Sequence, residues 1–158
     1  MAITVPTIGS EIDVVTFGKP VVDEVNRLTG LSGRVGVTRT TPQASLPTGA
    51  YTQITWGNTT ENVGGVTVTP TLVTVPVSGM YAISVVILGG TSNASSYVSV
   101  TVSSDRYDFN GTGAGAFIAS LVLPLAAGIS TVISVWNGSG AAFAPYPASK
   151  LTFYKVGE

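Results

Sequence analysis

Short runs rich in Val, Thr and Ile return roughly every ten residues from position 35 to the end of the chain. They are VGVTRT, YTQITW, GVTVTP, TLVTVPV, MYAISVVIL, YVSVTVSS, FIASLVLPL, ISTVISVW and KLTFYKV. Between them stand the breakers NTTENVGG, VSG, GGTSNASS, NGTGAG, AAG, NGSG and APYPAS. β-Branched side chains suit a pleated surface and Gly, Asn and Pro reverse the chain, so this rhythm predicts an all-β sandwich or jelly roll. The runs are not copies of one unit, which argues against a solenoid.

Alternation assigns the faces. Tyr81, Ile83, Val85 and Ile87 point one way and Ala82, Ser84 and Val86 the other, and the first set is the expected core. Val98, Val100 and Val102 read likewise, as do Ile129, Ile133 and Val135. The second set is the more informative, because an outer face meeting water normally alternates with Lys, Glu, Arg or Gln. From Thr41 to Ser104 the only charge is Glu61, and from Phe109 to Ser149 there is none. A face of small neutral groups lets another β surface approach closely and is an aggregation hazard unless covered. Much of it is therefore expected to be buried in a homo-oligomer; the alternative is a monomer with a Ser/Thr-rich surface.

Composition narrows the chemistry. Only 9% of residues are charged, seven Lys and Arg against eight Asp and Glu, and the chain contains neither Cys nor His. Disulfides, thiolate nucleophiles, imidazole bases and zinc sites of the usual kind are excluded, and no cofactor is implied. Nothing matches a Ser-x-x-Lys pair or a Gly-x-Ser-x-Gly elbow, so the expectation is a protein that is not an enzyme. Clustered Lys or Arg for nucleic acid is missing. Asp105 and Asp108, with Asn110 beyond them, offer oxygen ligands for calcium, but a polar turn closing a strand is the favoured reading of that cluster. The sequons at Asn58, Asn93, Asn110 and Asn137 read as turn formers. Trp56, Trp136, Tyr146 and Tyr97 could stack on a sugar, and Phe143, Pro145, Tyr146 and Pro147 could form a rigid tip; core packing or subunit contact is the commoner fate of such residues.

Residues 1–34 differ in kind, and charges crowd there. Ile3, Val5 and Ile8 alternate with small residues, as in a strand or an arm lying in a groove. FGKPVVDEVNRLTG then has the punctuation of a short helix: Pro20 at the start, Asp23 and Glu24 toward the positive end, Arg27 toward the negative end and Gly30 to stop it. Its apolar stripe, Val21, Val25 and Leu28, must dock on its own sheet or on a neighbour, since so short a helix is unstable alone. The expected division is thus an anchor over 1–34 and a head over 35–158. The opening MAITVP lacks a basic region and a signal-length apolar run, which predicts a mature chain that starts at Met1 and is made in a cytoplasm. Residues 114–136 are uncharged over a membrane-spanning length, but Pro124, the central AAG and the alternation of ISTVISVW predict two strands and a turn.

The order of motifs resembles a known family. TLVTVPVSGMYAISV, with Pro76, Gly79 and Tyr81, looks like the signature strand, turn and strand of the tumour necrosis factor and complement globular-head jelly roll. SLVLPLAAGISTVISVWN and the closing SKLTFYKV are similar to its later strands, although Ile129 stands where an acidic residue is often found. The opening residues through Gly30 are similar to amino-terminal segments of small virion proteins of tailed bacteriophages. The resemblance implies a homotrimer with Tyr81 inside the sandwich and Ala82, Ser84, Thr152 and Tyr154 near the axis. It further implies a virion location, assembly in the host bacterial cytoplasm, and phage capsid or tail proteins as partners, with neither nucleic acid nor membrane. The expected role is a capsid decoration or minor capsid protein gripping the particle through Ile3, Val5, Ile8, Val21, Val25 and Leu28. The alternative is a minor tail or fibre head that binds a host receptor or glycan through loops around 89–96 and 138–148; a secreted adhesin-like module would need an export route.

Overall fold

A computed structural model describes residues 34–38, 43–89, 95–111 and 115–157. The expected arm, the helix and the anchor residues Ile3, Val5, Ile8, Val21, Val25 and Leu28 lie outside the described residues. The strands are β1 (Arg34–Thr38), β2 (Tyr51–Gln53), β3 (Asn58–Val63), β4 (Thr67–Val68), β5 (Leu72–Thr74), β6 (Gly79–Leu88), β7 (Tyr97–Val102), β8 (Asp105–Asn110), β9 (Ala116–Leu125), β10 (Ser130–Trp136) and β11 (Lys150–Gly157). One sheet has the order β3-β1-β11-β6-β9, the other β4-β5-β10-β7-β8, and β2 pairs with β10 beside β5. The pairings within both are antiparallel. From β5 onward the chain passes from one sheet to the other at every connection except β7 to β8, which makes a jelly-roll sandwich.

Alternation produces this packing directly. Tyr81, Ile83, Val85 and Ile87 of β6 are fully buried between the sheets, where they meet Val98, Val100, Ile133, Val135, Leu151 and Phe153. Tyr81 brings a hydroxyl into this apolar layer and satisfies it by donating to the Val77 carbonyl at 2.9 Å. Gly79 precedes it because the backbone closes in there. A Cβ at that position would collide with the stem of Lys155 and lie 2.6 Å from the Gly157 carbonyl oxygen. The two crossovers at this end are laced together. Gly128 N–H donates to the Val75 carbonyl at 2.8 Å, Val75 N–H to that of Ile129 at 3.3 Å, and Ala127 N–H to Ser78 Oγ at 3.0 Å. Residues 114–136 thus include two strands in different sheets joined by a turn, as expected. Among the described residues no helix is long and apolar enough to cross a membrane.

Several expectations are corrected. NTTENVGG, read as a breaker, contains edge strand β3, and DRYDFN, read as a polar turn, is edge strand β8; the turn is Ser103–Ser104, with Ser103 at φ 54°. Edge strands pair on one side only, so polar side chains cost them little. Ile129 is half-buried in the turn before β10 and outside the core. Phe143 and Pro145 are buried, not tip residues: Leu46 N–H donates to the Phe143 carbonyl at 2.7 Å, and the Phe143 ring stacks on Phe117 with centroids 5.6 Å apart. Tyr146 is exposed, and Trp56 belongs to the core.

Candidate functional site

Two outer faces remain once the core is closed, and they are built differently. On the first sheet, Ala82 stands opposite Tyr154 and Ser84 opposite Thr152, so the four expected interface residues form two adjacent cross-strand pairs. On the other side of β6, Val122 stands opposite Ala82, Ser120 opposite Ser84 and Ile118 opposite Val86. Neither β6 nor β9 contains a charged residue. Ile118, Val122 and Val156 are large apolar side chains left 49%, 54% and 56% exposed. Sequence reasoning misses these three; the outward set of FIASLVLPL is the signal for Ile118 and Val122, and Val156 stands at the end of KLTFYKV. Toward the other end of the sheet the relief inverts. Gly36 lacks a side chain, and a depression of about 330 Å³ opens among Gly36, Thr60, Glu61, Lys150, Thr152 and Tyr154.

The outer face of the second sheet carries a network of polar and aromatic groups. Pairing places Tyr97 and Tyr51 on either side of Trp136. Ring centroids lie 5.0 Å apart for Tyr51 and Trp136, 5.7 Å for Tyr51 and Tyr97 and 6.1 Å for Tyr97 and Trp136, and the two phenol oxygens meet at 2.7 Å. Arg106, from β8, holds its guanidinium carbon 4.7 Å from the centre of the Tyr51 ring and pairs with Asp108 at 3.2 Å. The other Asp108 oxygen accepts from Ser99 Oγ at 2.5 Å, and Ser99 is fully buried. Partial removal from water, the hydrogen bond with Tyr97 and the Asp108 charge push the Tyr51 phenol up to about 12. It stays neutral at any physiological pH.

The remaining candidates fall apart into separate roles. Asp108 is tied to Ser99 through one oxygen and to Arg106 through the other, and among the described residues no three His, Cys, Asp or Glu side chains gather. Asn137 is fully buried as a structural tie. Its Nδ2 donates to the carbonyls of Leu46 at 3.0 Å and Ala141 at 2.9 Å, and its Oδ1 accepts from Ser139 N–H at 3.1 Å and Oγ at 2.7 Å. Asn110 is exposed at the end of β8, Asn58 opens β3, and Asn93 lies outside the described residues.

No family model matches the chain, and no curated protein matches it in sequence. Solved structures do match its fold. Murine APRIL is similar with a TM-score of 0.62 at 14% identity, over 78% of this chain and 98% of that one. The globular domain of zebrafish complement 1qA gives 0.58 at 11%, over 79% and 97%. PRD1 vertex protein P5 gives 0.61 at 19%, over 78% and 96%. The fold is therefore the tumour necrosis factor and complement globular-head jelly roll, shared with PRD1 vertex protein P5.

Proposed function

We propose that this protein is a non-enzymatic, homotrimeric structural component of a tailed-phage virion, a capsid decoration or minor capsid protein held to the particle by residues 1–34. The observation that carries it is the outer face of the first sheet, where Ile118 and Val122 stand half exposed on β9, a strand that like its neighbour β6 contains no charge. Covering such a surface gains roughly 25 cal/mol per Å² of apolar area. Its relief favours a ring. A closed head-to-tail assembly needs two different patches on each subunit; the knobs Ile118 and Val122 on β9 and the depression at Gly36 on β1 occupy opposite ends of one face. Likeness to vertex protein P5 supports the virion location. In the proposed trimer Ala82, Ser84, Thr152 and Tyr154 approach the axis.

Native mass measurement of the full chain tests the assembly: a trimer is expected, and a single-chain species at micromolar concentration overturns it. Deleting residues 1–30 tests the anchor. The truncated head is expected to trimerise and lose attachment to particles; stoichiometric binding without that segment rejects the assignment.

A further inference from the structure

We propose that the cluster of Tyr51, Tyr97 and Trp136, together with Arg106 and Asp108, is a binding site for a neutral oligosaccharide. Exposed ionic side chains normally move freely and contribute little to a fold. Here Arg106 and Asp108 keep side-chain exposures of 48% and 36%, yet both are held: Asp108 by the buried Ser99 hydroxyl, Arg106 by Asp108 and by the Tyr51 ring. Fixing polar groups before a ligand arrives lowers the ordering cost of binding.

The chemistry of the held groups selects the ligand. Aromatic rings with polar tips suit a molecule that is apolar on one side and wet on the other, as a sugar ring is. A planar guanidinium and a carboxylate can take hydroxyl pairs as donor and acceptor. Polyanions are disfavoured because Arg106 stands on one strand with Asp105 and Asp108. A quaternary ammonium group is disfavoured because Arg106 already lies over the Tyr51 ring. The site is on the sheet opposite the proposed self-association face, so it stands whether or not that assembly forms.

Tryptophan fluorescence gives a local readout, since the chain has two Trp residues and Trp56 is only 4% exposed within the core. Full-length protein is titrated with neutral tetrasaccharides of glucose, galactose, mannose and arabinose, with a sulfated saccharide and choline as competing probes. At least one neutral sugar is expected to give a saturable change that Trp136→Phe removes. Arg106→Gln and Asp108→Ala are expected to weaken it about tenfold or more while native mass is unchanged. Should Asp108→Ala fail to fold, Arg106→Gln at its exposed position decides alone. The proposal is overturned if none of these neutral sugars binds, if affinity is indifferent to Arg106→Gln, if only choline or the sulfated probe binds, or if the cluster proves to be covered by a second copy of the chain.

Discussion

The two outer faces of this sandwich solve the same problem in opposite ways. Each sheet must present one side away from the core, and neither has many charges with which to do it. The second sheet closes its outer face with its own residues, linking Ser99, Asp108, Arg106, Tyr51 and Tyr97 through hydrogen bonds, an ion pair and a cation–π contact. The first leaves Ile118 and Val122 half exposed beside Ala82 and Ser84. An outer face can be completed within one chain or left for another chain to complete, and the residue types distinguish the two.

Charge placement is the strongest way to break this contrast. Ile118→Lys with Val122→Lys sets unpaired ammonium groups on the first face, and burying each in an interface costs several kcal/mol. The pair is expected to weaken self-association by at least about a hundredfold and leave a folded single chain, read by light scattering. Thr67→Lys with Gln53→Lys puts the same charge at exposed positions of the second sheet and is expected to leave the mass unchanged. Equal effects from both pairs would erase the distinction.

Truncating Asn137 should give the reverse signature. Asn137→Ala strips the buried carbonyl of Leu46 and the partly buried one of Ala141 of a donor and is expected to cost about 2 to 3 kcal/mol in denaturant unfolding, with little change in subunit affinity. Thr131→Val is a smaller change of opposite sign. Its hydroxyl oxygen is buried without a hydrogen-bond partner among the described residues, so a methyl in its place is expected to stabilise the chain by about 1 kcal/mol.

The first face is largely legible in the amino-acid sequence. A period of two along MYAISVVIL suffices to send Tyr81 inward and Ala82 and Ser84 outward, because alternation is a property of one strand. The second face is not, since Tyr51, Tyr97 and Trp136 are brought together by pairing between segments distant in sequence, and no local pattern encodes a partner. β3 and β8 escape for another reason. Most of the described side chains of β3 are exposed, so it shows no apolar period, and in β8 the alternation is confined to Tyr107 and Phe109 among charged and polar neighbours, too short to outweigh a composition that reads as a loop. Phe143 is misread because its neighbours are Ala and Pro; only the Leu46 bridge and the stack on Phe117 reveal that this loop folds inward.

The subtlest test concerns whether the second face is complete in a single chain. Tyr51 carries a pKa of about 12 against an ordinary 10.0, raised by partial removal from water, by the Tyr97 hydrogen bond and by Asp108. Because the folded value exceeds the unfolded one, its contribution to stability is whole below pH 10 and drains away as pH rises toward 12. Tyrosinate absorbance is expected to show a late-titrating phenol that Tyr51→Phe removes, and Asp108→Asn should lower its midpoint. The decisive sample is the Ile118→Lys, Val122→Lys protein. If that single chain retains the late phenol, the network on the second sheet is intrinsic to the monomer, and only the first sheet needs a neighbour; if the phenol returns to its ordinary value on dissociation, the two faces are coupled and the contrast between them fails.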